Sequence, residues 1–322
     1  MALAVGIGLL AGCSGGPGTR APAGPGPEAS GFSVVALPGA GGKEAVVLGL
    51  QRAERTAPLR YRVIVVPGSG CAGMGAFADR YFAGLLHAQV LVLHKPGVHP
   101  HDRTAPGDCS HHFVQQDRLS TWLAQARAAL RADAAQRQGQ PAVPHLLVGI
   151  SEGAELLPGL APEVPQLAGL VLLSSSGLDP REAGALQAER LGVQADWQAL
   201  GDAVSGRWPD TSVQQGRSLG YWRDLWQWPL ETWVRQSPWP VLQVWGSGDA
   251  LVPAEAYALF SQRMAPRAPA AWCVRRLEGA DHGLQRSAAD RTEPADGDGV
   301  QQVWAWTEQW ARHPAAGLCG PG

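Results

Sequence analysis

Past residue 31 the chain alternates two apolar patterns. Short runs rich in Val, Ile and Leu stand at 32–37, 45–50, 61–66, 89–94, 145–150, 169–174, 240–245 and 271–277. Several, such as YRVIVV at 61–66, are unbroken, as strands covered on both faces require. Between them lie Ala/Leu-rich stretches with apolar residues at helical spacing, at 74–87, 115–136, 152–161, 253–265 and 299–312. In 115–136, Leu119, Trp122, Leu123, Ala126 and Leu130 share one face, with Arg127 and Arg131 outward. Strand and helix in alternation predict an α/β domain with a mostly parallel, doubly wound sheet over 32–322. No internal repeat is visible.

Two regions depart from this rhythm. The segment 177–238 is helical in composition and carries Trp197, Trp208, Trp222, Trp226, Trp228 and Trp233. An insertion of this length between strands reads as a cap over a site, with tryptophans that pack it onto the body, meet substrate, or both. At the other extreme, residues 14–31 hold ten Gly or Pro and no aromatic. They predict a flexible tether running from Cys13 to residue 31. Ahead of it, residues 2–12 form an uncharged apolar run too short to span a membrane and suited to the core of a secretory signal over 1–12. Leu10-Ala11-Gly12-Cys13 resembles the bacterial lipoprotein lipobox, although no Lys or Arg precedes the run. That resemblance implies lipidation of Cys13 and export to the cell envelope. Ser14 at the next position implies the outer membrane, facing the periplasm.

Composition narrows the function classes. The chain is 45% hydrophobic with a formal net charge of -2. It can bury a large core, and it lacks the basic excess of a nucleic-acid binder. Membrane contact is expected through the N-terminal anchor only.

Gly149-Ile150-Ser151-Glu152-Gly153 matches G-x-S-x-G, but so does Gly216-Arg217-Ser218-Leu219-Gly220. Context separates them. A nucleophile elbow needs a buried strand entering and a helix leaving. Ser151 follows the apolar run 145–150 and precedes AELLPGLA, whereas Ser218 follows the polar DTSVQQ inside the cap. Ser151 is therefore the candidate nucleophile. A serine hydroxyl needs a neighbouring histidine base, itself oriented by a carboxylate. Of nine histidines, His282 lies in a short loop after the last strand, and Asp249 lies just past the preceding one.

With Ser151, Asp249 and His282 in that order, the chain resembles the α/β-hydrolase-fold enzymes. The stretches W-G-S-G-D-A-L-V-P around Asp249 and G-A-D-H-G around His282 resemble that family's acid and histidine loops. The resemblance covers roughly 45–312. It implies an eight-stranded, mostly parallel sheet with helices on both faces, and a Ser-Asp-His triad. Asp179, after the preceding strand, is the reserve acid; Asp281 reads as a loop cap. The oxyanion hole is expected from the backbone N–H of Glu152 and of Ser69, with Gly70 as fallback. Ser69 lies in Pro67-Gly68-Ser69-Gly70-Cys71, where Pro67 stands in place of the family's usual His. The Glu152 side chain reads first as a favourable partner for the helix dipole. Repelling anionic substrates or gripping a cation are its functional alternatives.

Beyond Cys13, four cysteines allow three pairings. The family strand order makes the loops holding Cys71 and Cys109 neighbours, so Cys71–Cys109 and Cys273–Cys319 are expected. The loop from His99 to His112 meets no standard zinc spacing and reads as a polar rim. The resulting expectation is a serine hydrolase that acts on an ester, thioester or amide, with no cofactor and no metal. A non-catalytic envelope binding protein retaining the fold, or an acyltransferase or perhydrolase with the same triad, are the alternatives.

Overall fold

The computed structural model describes residues 31–42, 45–268, 270–286 and 299–320. The signal, the tether and Cys13 lie outside the described residues.

Eight strands form one sheet: β1 (Ser33–Pro38), β2 (Val46–Arg52), β3 (Tyr61–Val66), β4 (Ala88–Leu93), β5 (His145–Ile150), β6 (Leu167–Leu173), then, after a small hairpin in the cap, β9 (Val241–Gly246) and β10 (Trp272–Leu277). Their order is β1-β2-β4-β3-β5-β6-β9-β10. β2 runs antiparallel to β1 and β4; the other neighbours are parallel. The fold is thus an α/β-hydrolase sheet. All six residues of β3 are buried, as its unbroken apolar run requires. Ile64, Leu91, Leu147 and Leu172 pack one face against Trp122 and Leu157. Val63, Val90, Val148 and Val171 pack the other against Phe82 and Trp304.

The strand order reverses beside β3. The chain moves from β3 to β4 on one side, then returns to place β5 on the other. In open parallel sheets the crevice at such a switch, beyond the carboxyl ends of the strands, is where ligands bind. The turn after β3 and the serine after β5 both open there.

The helices are α1 (Ala78–Tyr81), α2 (His111–Gln116), α3 (Leu119–Gln136) and α4 (Leu157–Leu160). Those of the cap are α5 (Pro180–Leu191), α6 (Gln194–Ser205), α7 (Leu219–Trp226) and α8 (Leu230–Gln236). The body closes with α9 (Ala254–Met264) and α10 (Gly299–Arg312). Several differ from the sequence expectation. The helix expected over 74–87 shortens to α1. Upstream, Gly73 and Gly75 hydrogen-bond to the backbone of Asp102 and Pro100 instead of continuing a helix. Downstream, the side chains of Gln301 and Trp304 on α10 take the carbonyl of Tyr81.

The helix expected over 115–136 breaks into α2 and α3, with Asp117 and Arg118 extended between them. That break turns the Asp117 carboxylate onto Lys95 and Arg217. Residues Ser151–Leu156 form a 3-10 helix before α4. The cap is not wholly helical: β7 (Val213–Gln214) and β8 (Arg217–Ser218) form its small hairpin.

Candidate active site

Ser151 stands at the carboxyl end of β5 with φ at +52°, a left-handed backbone rarely held by a residue with a side chain. The turn is tight enough to demand the two flanking glycines. A Cβ at Gly149 would lie 2.4 Å from the Ala154 Cα, and one at Gly153 would lie 2.2 Å from the carbonyl oxygens of Val66 and Pro67. Only glycine lets the end of β3 and the start of the 3-10 helix approach this closely.

The side chains named from the sequence come together. The Ser151 Oγ is 2.9 Å from the His282 Nε2. The His282 Nδ1 lies 2.9 Å from one Asp249 carboxylate oxygen and 3.1 Å from the other. Asp249 follows β9, and its Oδ1 also accepts the N–H groups of Leu251 and Val252. Burial pushes its pKa up, but the hydrogen bond and charge of His282, with those two N–H groups, outweigh burial and hold it below the ordinary carboxylate value. The Tyr257 hydroxyl donates to Oδ2 at 3.0 Å, from a ring stacked on Trp245.

The remaining candidates sort by their contacts. Asp281 accepts the Gln285 N–H and so caps its own loop. Asp179 accepts the N–H of Glu231 at the start of α8, away from His282. Ser218 is the N-cap of α7, accepting from the Tyr221 N–H. Glu152 is the second residue of the 3-10 helix, where backbone N–H groups have no acceptor within the helix. A Cβ at Gly68 would lie 3.5 Å from the Ser151 Cβ, so the turn carrying Ser69 passes beside Ser151.

That turn is held from below. Cys71 is bonded to Cys109, and Cys273 to Cys319, the two pairings expected. The His94 Nε2 accepts the Met74 N–H. In the histidine-rich loop, Asp102 accepts the His99 N–H, and the rings of His99 and His101 stand 5.7 Å apart. Among the described residues, no three His, Cys, Asp or Glu side chains are grouped to hold a metal ion.

Sequence reasoning left the surroundings of Glu152 undescribed, and the dipole reading of its side chain is incomplete. Its carboxylate is buried between the Lys95 ammonium at 2.8 Å and the Tyr221 hydroxyl at 2.7 Å. Burial alone would raise its pKa; the charges of Lys95 and Arg217 and the two hydrogen bonds hold it below the ordinary value. The cation it grips is the protein's own. The available signal was Lys95 itself, one of two lysines in the chain and adjacent to an apolar strand. The cap tryptophans divide: Trp228 is buried and donates to the Glu155 carbonyl, whereas Trp208 is 65% exposed.

No protein-family model and no curated protein matches the sequence. Solved structures do resemble the fold. The esterase domain of a Rhodothermus marinus protein is 18% identical, with 88% of this chain and 98% of that one covered at a TM-score of 0.51. Est1E from Butyrivibrio proteoclasticus is 16% identical, with 89% and 100% covered at 0.56. A highly thermostable carboxyl esterase from Bacillus coagulans is 12% identical, with 88% and 100% covered at 0.53. At such identities the likeness concerns the fold.

Proposed function

We propose that the protein is a serine hydrolase that cleaves a carboxylic ester through an acyl-enzyme on Ser151. The observation that carries this reading is the continuous hydrogen-bonded line from Ser151 Oγ through His282 to Asp249. Ser151 attacks the ester carbonyl carbon while His282 Nε2 takes the hydroxyl proton. Asp249 fixes the imidazole orientation and stabilises the imidazolium. The carbonyl oxygen, now an oxyanion, receives the backbone N–H groups of Ser69 and Glu152. Collapse expels the alcohol, which leaves with the proton from His282. Water then repeats the sequence, with His282 as base, and frees the acid and Ser151. Several structural neighbours are described as esterases, which supports an ester as the substrate.

The protein is further proposed to be exported and tethered through a lipid on Cys13 to the cell envelope. The two disulfides support an oxidising compartment. Among the described residues no helix is long and apolar enough to cross a membrane.

A fluorophosphonate probe and a panel of p-nitrophenyl esters of rising acyl length test the chemistry. Wild-type protein is expected to label and turn over, and Ser151→Ala to lose labelling and at least about 10⁴-fold in kcat. Labelling that persists in Ser151→Ala would assign the nucleophile elsewhere. A steep preference for long acyl chains would mark the tryptophan-bearing cap as the acyl site.

A further inference from the structure

The body and cap meet in a closed circuit of polar groups beside Ser151, all buried except the part-exposed Arg217. Lys95, 3% exposed, sits past the end of β4 over the Trp122 ring. Its ammonium donates to Asp117 at 2.9 Å and to Glu152 at 2.8 Å. Arg217, on the cap hairpin, pairs with the other oxygen of Asp117. The same guanidinium lies over the ring of Tyr221, 4.7 Å from its centre. The Tyr221 hydroxyl returns to Glu152, closing the circuit. Two cations and two carboxylates balance, so none is buried uncompensated while the cap is seated. Lifting the cap would remove Arg217 and Tyr221 and leave Lys95 alone facing two carboxylates, with the charge of the circuit unmatched.

The circuit grips the residue after the nucleophile. Both carboxylate oxygens of Glu152 are engaged, Oε2 by the body and Oε1 by the cap. Glu152 shares a peptide group with Ser151, whose positive φ is a costly conformation that persists only when its surroundings over-determine it. A side chain pinned at both ends supplies such a constraint on that peptide and on its N–H.

We propose that Lys95 and Tyr221 are positioning residues that, by clamping the Glu152 carboxylate, couple the seating of the cap to the aim of the Glu152 N–H at the oxyanion. This rests on the acyl-enzyme reading given above. Neither side chain touches the reacting atoms in this scheme. Each acts through Glu152.

The test removes one oxygen. Tyr221→Phe keeps the buried ring and deletes the bond to Glu152. Turnover of a short p-nitrophenyl ester is measured alongside inhibition by a trifluoromethyl ketone. Ser151 Oγ adds to the ketone carbon, its proton passes to His282, and the former carbonyl oxygen becomes the oxyanion held by the hole. Losing an oxyanion donor outright lowers kcat by about 10²–10³-fold, and a misaimed donor is expected to lower it by about tenfold. Ketone affinity should weaken by about the same factor, with KM moving less than twofold, because only interactions made in the transition state are affected.

Glu152→Gln is a second variant. It keeps the backbone N–H and the volume but turns an NH₂ group or a neutral oxygen toward Lys95, and the same kcat-confined loss is expected. A circuit that merely seats the cap would instead raise KM and leave ketone affinity in step with substrate binding. That result, or an active wild type whose kcat and ketone affinity survive Tyr221→Phe, would overturn the clamp alone. A wild type that takes no fluorophosphonate and hydrolyses no ester would overturn the hydrolase reading and the clamp with it.

Discussion

Asp249 receives four donors: the N–H groups of Leu251 and Val252, His282 Nδ1, and the Tyr257 hydroxyl. The last was not legible in the sequence, because Tyr257 lies on α9 and reaches back over the acid loop only once the helix packs. Burial first, and then the adjacent carboxylate, push the pKa of Tyr257 well above its ordinary value, so it stays a donor across neutral pH. Its hydroxyl holds Oδ2, the same oxygen that faces His282 Nδ1. Tyr257→Phe removes that donor and leaves the carboxylate freer to turn away from the imidazole it orients. In that variant kcat should therefore fall several-fold, with KM little changed. An unchanged kcat would mean that the hydroxyl only fills space.

At the scale of elements, α3 is anchored at both ends. Its N-terminus follows the break at Asp117, which serves the circuit. Near its C-terminus, Asp133 takes two hydrogen bonds from the buried guanidinium of Arg62 on β3. Removing one partner of a buried pair strands the other charge and destabilises by about 3–5 kcal/mol. Asp133→Asn is expected to lose about 3 kcal/mol in urea unfolding. Its kcat should stay within about twofold of wild type, since Arg62 sits at the amino end of the sheet and Ser151 beyond the carboxyl end. The shape of α3 shows why periodicity placed the helix but not its start. Residues 115–118 read Gln-Gln-Asp-Arg and offer no apolar position to mark where the helix begins, while the carboxylate at the break meets a lysine and an arginine distant in sequence.

For the whole molecule, the disulfides tie down two segments outside the strands of the sheet. Cys71–Cys109 spans a sequence separation of 38 and clamps the turn carrying Ser69; Cys273–Cys319 spans 46 and fastens the chain after α10. Loop closure of this size restricts the unfolded chain by about 4 kcal/mol each on the chain-entropy account. Replacing Cys273 and Cys319 by Ser should lower stability by about 2–4 kcal/mol with kcat preserved. Replacing Cys71 and Cys109 should lower both, because the turn beside Ser151 loses its brace. Urea midpoints and ester turnover of the two double variants separate these outcomes.

The strands and the loop positions of Ser151, Asp249 and His282 were legible in the sequence alone. Strand runs covered on both faces are unbroken, and the residues that end them stand in the order in which the sheet presents them. The glycines at 149 and 153 were legible for a similar reason, since a sharp turn tolerates nothing larger. The tertiary structure decided what depends on contacts remote along the chain. It shortened the helix at 74–87, split the one at 115–136, and set a hairpin into the cap. It also drew Lys95, Asp117, Arg217 and Tyr221 around Glu152. Local pattern records which face of an element is buried. It does not record which distant charge will lie opposite a buried carboxylate, as Lys95 lies opposite Glu152.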